Sequence, residues 1–196
     1  MFANADGGVS SPVLTRVTFT GNHAGLQAPG EGGGLHLSAW DDGISSPLLT
    51  DVTFEGNLST GDGGGMDIST WYGGESEPLL TRVTFTRNSA RYGGGLCCGS
   101  FTGLCAADLI DIVFRQNEAL GGGGLYSGAI YGGLNVIDLT NVAFDRNQAD
   151  SKGGGMANYG SIGQAVASLV NVTFSGNHAG FGGGALSGGR DDGSSY

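Results

Sequence analysis

The chain has 196 residues, with 18 acidic against 8 basic side chains, a formal charge of −10 and a single lysine, Lys152. Such a surface repels phosphate backbones, and no apolar run reaches the ~20 residues of a bilayer-spanning helix, so neither a nucleic-acid partner nor membrane insertion is expected. Glycine fills 41 positions without recurring at every third residue, and a 39% hydrophobic content with nine Phe is too high for a disordered linker; collagen and disorder are excluded as well.

Along the chain one unit recurs. The first reads Leu14, Val17, Phe19, Asn22, then Gly32–Gly34 and Leu35. The second reads Leu49, Val52, Phe54, Asn57, Gly63–Gly65 and Met66; the third Leu80, Val83, Phe85, Asn88, Gly93–Gly95 and Leu96. The fourth is Leu109, Ile112, Phe114, Asn117, Gly122–Gly124 and Leu125; the fifth Leu139, Val142, Phe144, Asn147, Gly153–Gly155 and Met156. The sixth closes with Leu169, Val172, Phe174, Asn177, Gly182–Gly184 and Ala185. The Phe-to-Phe steps are 35, 31, 29, 30 and 30 residues, and a period of this kind marks a solenoid.

Local chemistry selects its type. Segments such as Val17-Thr18-Phe19 and Val83-Thr84-Phe85 alternate with period two and are β-branched or aromatic, which reads as strand with Val and Phe inward and Thr outward. Glycines interrupt every candidate helix. The expected fold is all-β: a parallel β-helix of about six coils, three short strands each, in one domain spanning 1–196. Coils spaced at about 4.8 Å would set equivalent residues in columns. The Phe and Leu/Val columns make the core. Asn22, Asn57, Asn88, Asn117, Asn147 and Asn177 form a ladder at a bend, and Arg16, Asp51, Arg82 and Asp111 form a surface charge ladder. A longer first interval, around Gly25–Glu31, should bulge as a loop. The two ends share a phase, Asp6–Ser11 matching Asp191–Ser195, as expected of an excerpt of a longer solenoid or of a unit that stacks on copies of itself.

With these residues in view, the chain resembles the polymorphic outer-membrane protein (Pmp-like) repeats of bacterial surface proteins, which pair Phe-x-x-Asn with Gly-Gly-small/aliphatic, here as Gly93-Gly94-Gly95-Leu96. The resemblance implies a right-handed parallel β-helix, extracellular or on the cell surface, often adhesive. The motif residues are architectural, so it transfers no binding site.

Candidate chemistry is sparse. Asp41, Asp42, Asp67, Asp191 and Asp192 are the acids that a pectin-degrading type of β-helix enzyme would need, but they fall in loops of different coils and Asp-Asp-Gly reads as turn chemistry. Gly61–Asp67 resembles a calcium-binding Gly/Asp repeat only superficially, because it occurs once. His23, His36 and His178 read as solvated surface residues. No catalytic residue, cofactor or metal site is expected. Cys98 should face inward and Cys97 outward, with either a Cys97–Cys105 bridge or free thiols. The ligand-contact candidates are aromatic: Trp40, Trp71, Tyr72, Phe101 and Tyr131, a stripe able to pack against sugar rings or a partner protein unless it merely covers the end of the core. The function expected is a non-catalytic structural or adhesive module contacting a host-surface protein or glycan. The alternatives are a self-associating fibre subunit, joined end to end to its copies or to adjoining coils, and a polysaccharide-binding or polysaccharide-degrading protein.

Overall fold

A computed structural model describes residues 1–25, 30–190 and 194–195. The loop expected over Gly25–Glu31 lies largely outside the described residues, as do Asp191 and Asp192. Among the described residues there is no helix, and the strands pair in parallel with partners one coil away. Phe2–Asp6, Leu35–Trp40, Met66–Thr70, Leu96–Ser100, Leu125–Ile130, Met156–Ser161 and Ala185–Arg190 form one sheet in chain order, each strand but the first following a glycine triplet. A second sheet collects the leucine and phenylalanine segments, and a six-stranded third sheet runs from His23–Ala24 to His178–Phe181. The chain is a β-solenoid of about six turns.

The strands fall into three sheets, and in the earlier coils the leucine–phenylalanine stretch is divided by a bend in its middle. In the second coil it is split into Leu48–Thr50 and Thr53–Glu55, while in the fifth and sixth it runs as one strand, Leu134–Asp145 and Gln164–Ser175. The cause of the bend is a column of left-handed residues. Arg16, Asp51, Arg82, Asp111, Asn141 and Asn171 all have φ between 53° and 58°. A second such column, Gly21, Gly56, Arg87, Gln116, Arg146 and Gly176, precedes the asparagines at φ of 52° to 62°, and the first glycine of every triplet makes the third. L-residues pay for this conformation, Asp and Asn least. One residue per corner is enough to redirect a parallel strand without a loop.

The phenylalanines are direct register partners from coil to coil. Their rings stack at 4.9, 4.8, 4.9, 4.9 and 4.7 Å, tilted by no more than 8°. Phe54, Phe85, Phe114 and Phe144 are fully buried together with Leu49, Leu80, Leu109 and Leu139. The Thr positions beside them stay half-exposed in the second and third coils, as alternation requires.

At the bend that follows, the asparagines replace the backbone ladder. Asn88 Nδ2 donates to the Phe54 carbonyl and to Asn117 Oδ1, both at 3.0 Å. Asn88 Oδ1 accepts from the Asn57 backbone N–H and from Asn57 Nδ2, both at 2.9 Å. The same pattern repeats at Asn117 and Asn147, so the buried amides are saturated by their own kind. The glycine triplet packs against this corner. A Cβ on Gly94 would stand 2.4 Å from the Glu118 carbonyl oxygen and 2.5 Å from that of Gly123, and one on Gly95 would meet Phe114 Cδ1 at 2.8 Å.

The surface charge column is in register. Arg82 Nε donates to Asp51 Oδ1 at 2.6 Å, Arg82 Nη2 to Asp51 Oδ2 at 3.1 Å, and the bond holds the Asp51 carboxyl below its ordinary range. Asp111 instead accepts from Asn141 Nδ2 at 2.9 Å, and Asn171 donates to Asn141 at 2.8 Å. One column over, Arg115 pairs with Asp145 at 3.1 Å. These pairs are exposed, worth about 0–1 kcal/mol each, and their positions are set first by the bend.

Two outcomes are expected in chemical denaturation. Asn88→Ala strands a buried carbonyl, an N–H and two amide groups and should cost about 4 kcal/mol. Gly56→Ala, which enters open space at φ 62°, should cost only about 1 kcal/mol, whereas Gly94→Ala should prevent the coil from closing and abolish the cooperative transition.

Candidate functional site

Alternation along the glycine-side sheet sends Leu35, Leu37 and Ala39 into the core and leaves His36, Ser38 and Trp40 on the outer face. Register turns those three positions into three rows. The first runs Phe2, His36, Asp67, Cys97, Tyr126 and Ala157. The second, Asn4, Ser38, Ser69, Gly99 and Gly128, is small and makes a floor.

The third row is aromatic. Trp40 stacks on Trp71 at 5.2 Å, and Trp71 stacks on Phe101 at 3.5 Å. Tyr72 tilts against both tryptophans at 5.7 and 6.3 Å. Trp40 keeps 36% of its surface exposed and Tyr72 keeps 60%; Trp71 and Phe101 are half-buried. Four of the five aromatic candidates are thus brought together as a ridge. Tyr131 is exposed and makes no ring contact among the described residues, because Ile130 takes the row position that Phe101 holds one coil earlier. Between ridge and floor a cavity of about 330 Å³ opens, lined in part by Asn4, Asp6, His36, Ser38 and Trp40.

Opposite the ridge the first row gathers ionisable groups. His36 Nδ1 lies 3.0 Å from Asp67 Oδ2 and 3.7 Å from Glu31 Oε2. Ser69 Oγ donates to the same Asp67 oxygen at 2.8 Å. The Asp67 side chain is 1% exposed, that of His36 14% and that of Glu31 46%. Burial alone would lower the imidazole, but the hydrogen bond to Asp67 and the charges of Asp67 and Glu31 outweigh it, and His36 is held above its ordinary value. Burial, followed by the charge of Asp67, raises Glu31. Asp62 is pushed up to about 7 by burial and then by Asp67 and Glu31, with Arg91 and the Tyr92 backbone opposing. Burial, and next the charge of Asp67, pushes the Cys97 thiol up.

Three sequence expectations need correction here. His36 is not a solvated surface residue; it is mostly buried against Asp67, while His23 and His178 are exposed as expected. Asp67 is not in a loop but in the strand Met66–Thr70, fully buried. Cys97 stands on the outer row yet is only 3% exposed, and the bridge joins Cys98 to Cys105. Both bridged residues point inward on successive strands, Leu96–Ser100 and Leu104–Ile110, with their Cα atoms 6.5 Å apart. Asp41 and Asp42 behave as read from sequence: both occupy left-handed turn positions, at φ 49° and 59°.

The thiols give a direct check. A chromogenic disulfide reagent should find no reactive thiol in the native chain, one after denaturation, and three after denaturation with reduction; a thiol reacting before unfolding would contradict the burial of Cys97.

The family model for the Chlamydia polymorphic membrane protein (Chlamydia_PMP) repeat matches residues 51–65, 82–99 and 171–189. Each matched segment begins at the left-handed bend residue, Asp51, Arg82 or Asn171, and runs through Phe and Asn to the glycine triplet. No curated protein and no solved structure is significantly similar to the chain. The matched motifs are the ones that build the corners and the core, and in its second, third and sixth coils the chain is similar to that repeat family.

Proposed function

We propose that the chain is a non-catalytic, adhesive structural module of a bacterial surface or secreted protein, and that it makes contact through the aromatic ridge of Trp40, Trp71, Tyr72 and Phe101. The repeat family and the β-solenoid fit a structural module of a surface protein. What supports the adhesive role is the ridge itself. Stacked along the axis, the rings form a continuous apolar ridge whose exposed parts, chiefly on Trp40 and Tyr72, give a sugar ring a surface to pack against. A protein side chain from a host surface would use the same rings. A stiff rod holds such contacts at fixed spacing, so weak single contacts gain from multivalency.

A second reading rests on the end coils. Phe19 and Phe174 are only partly buried, whereas the four phenylalanines between them are fully buried, and Leu169 is 44% exposed. Further coils, or a second copy, laid on either end would continue every column.

Isothermal titration with surface polysaccharides, alongside binding of the labelled chain to host cells, tests the first reading. Trp40→Ala/Trp71→Ala should lower binding at least about 10-fold with unchanged circular dichroism. Unaltered binding by the double variant would remove the ridge as the contact surface. For the second reading, sedimentation should show rods that lengthen with concentration; a short species of constant size at high concentration would end it.

A further inference from the structure

We propose that Glu31, His36 and Asp67 form a binding site for a divalent first-row transition ion of the Zn²⁺ class, assembled across two neighbouring coils. The three donor atoms, His36 Nδ1, Asp67 Oδ2 and a Glu31 carboxylate oxygen, all lie within 4.8 Å of one another, with His36 Nδ1 at 3.0 Å from Asp67 Oδ2 and 3.7 Å from Glu31 Oε2. Donors bound at about 2.0–2.2 Å around a tetrahedral zinc stand about 3.3 Å apart, so the existing separations need only small adjustment. The backbone sets this up. Gly32 turns at φ 63°, bringing Glu31 back over the strand that carries His36, and strand register puts Asp67 directly beside His36.

A second observation points the same way. Asp67 is fully buried, yet its Oδ1 has no hydrogen-bond partner, and Oδ1 of Asp62 is likewise buried and unpartnered. A buried carboxylate with one oxygen lacking a donor is under-compensated, and a cation at Oδ2, or bridged by both oxygens, neutralises the group as a whole. Three carboxylates, Glu31, Asp62 and Asp67, share this corner with His36 and Arg91, and His23 lines the same cavity as Glu31 and His36. An imidazole nitrogen among the donors selects against Ca²⁺ and Mg²⁺, which favour all-oxygen shells. On loading, any proton on His36 Nδ1 leaves to solvent and its lone pair goes to the ion, each carboxylate supplies an oxygen, and water fills the remaining positions. Glu31, half-exposed, provides the open side by which the ion enters. Because Glu31 and His36 flank one glycine triplet and Asp67 lies one coil on, the bound ion would staple neighbouring coils.

Isothermal titration of the whole chain with ZnCl₂ tests the assignment. A single equivalent should bind with a micromolar Kd, and Ca²⁺ and Mg²⁺ at least about 100-fold more weakly. Glu31→Gln and His36→Gln should each weaken Zn²⁺ binding by about 30-fold or more, with metal-free circular dichroism and melting confirming the fold. The His23→Gln/His178→Gln variant and Cys97→Ser should stay within about 3-fold of the parent. The site is overturned by an absence of saturable Zn²⁺ uptake, by uptake that survives both Glu31→Gln and His36→Gln, by equal affinity for Ca²⁺, or by loss of binding in Cys97→Ser, which would move the ion onto the thiol.

Discussion

Everything in this molecule follows from parallel strands pairing with their own equivalents one coil away, and the corner amides are where that pairing is enforced. Inside a strand the backbone supplies the hydrogen bonds. At the corner after each phenylalanine it turns away, and buried N–H and C=O groups would be left orphaned. The asparagine column closes the gap: every interior amide spends its donors and acceptor on the coils above and below. A shift of one residue would break these bonds and unstack the rings at once, so the register is over-determined.

With the register fixed, chemistry becomes a matter of which residues share a row. The outer face of the glycine-side sheet shows this best. Trp40 and Trp71 meet because they occupy equivalent positions, and His36 meets Asp67 for the same reason. The interior coils are nearly interchangeable, and the identity of the protein resides in what each coil places on that face. A solenoid separates upkeep from function in this way, and loops contribute little to the separation here.

Much of this was legible before any coordinates. Six coincident Phe, Asn and glycine registers gave the coil count, the core and the ladder, since columns need only arithmetic. The bends were harder. Arg16, Asp51, Arg82 and Asp111 read as alternating charges, which they are, but φ near 55° is what they share, and side-chain chemistry hides a backbone requirement that Asp and Asn hint at and Arg does not. The ionisable cluster was within reach: the residue two places after each triplet reads His36, Asp67, Cys97, and strand alternation puts all three on one face. What sequence could not supply was Glu31 folding back over them, or the depth at which Asp67 is buried. The Cys98–Cys105 bond was missed because Cys105 also points inward, a direction fixed only by the bend between its strand and the preceding one.

That bond has a mechanical consequence. It joins two strands of the same turn, seven residues apart in sequence, and does not tie one turn to the next. A pull along the axis would therefore meet non-covalent contacts between neighbours: backbone and amide hydrogen bonds, stacked rings and ion pairs. Such a stack would peel from its ends, each released turn paying out about 100 Å of extended chain, with the covalent tie shortening a single one of them. A stack built this way yields by stages and winds back when the load falls.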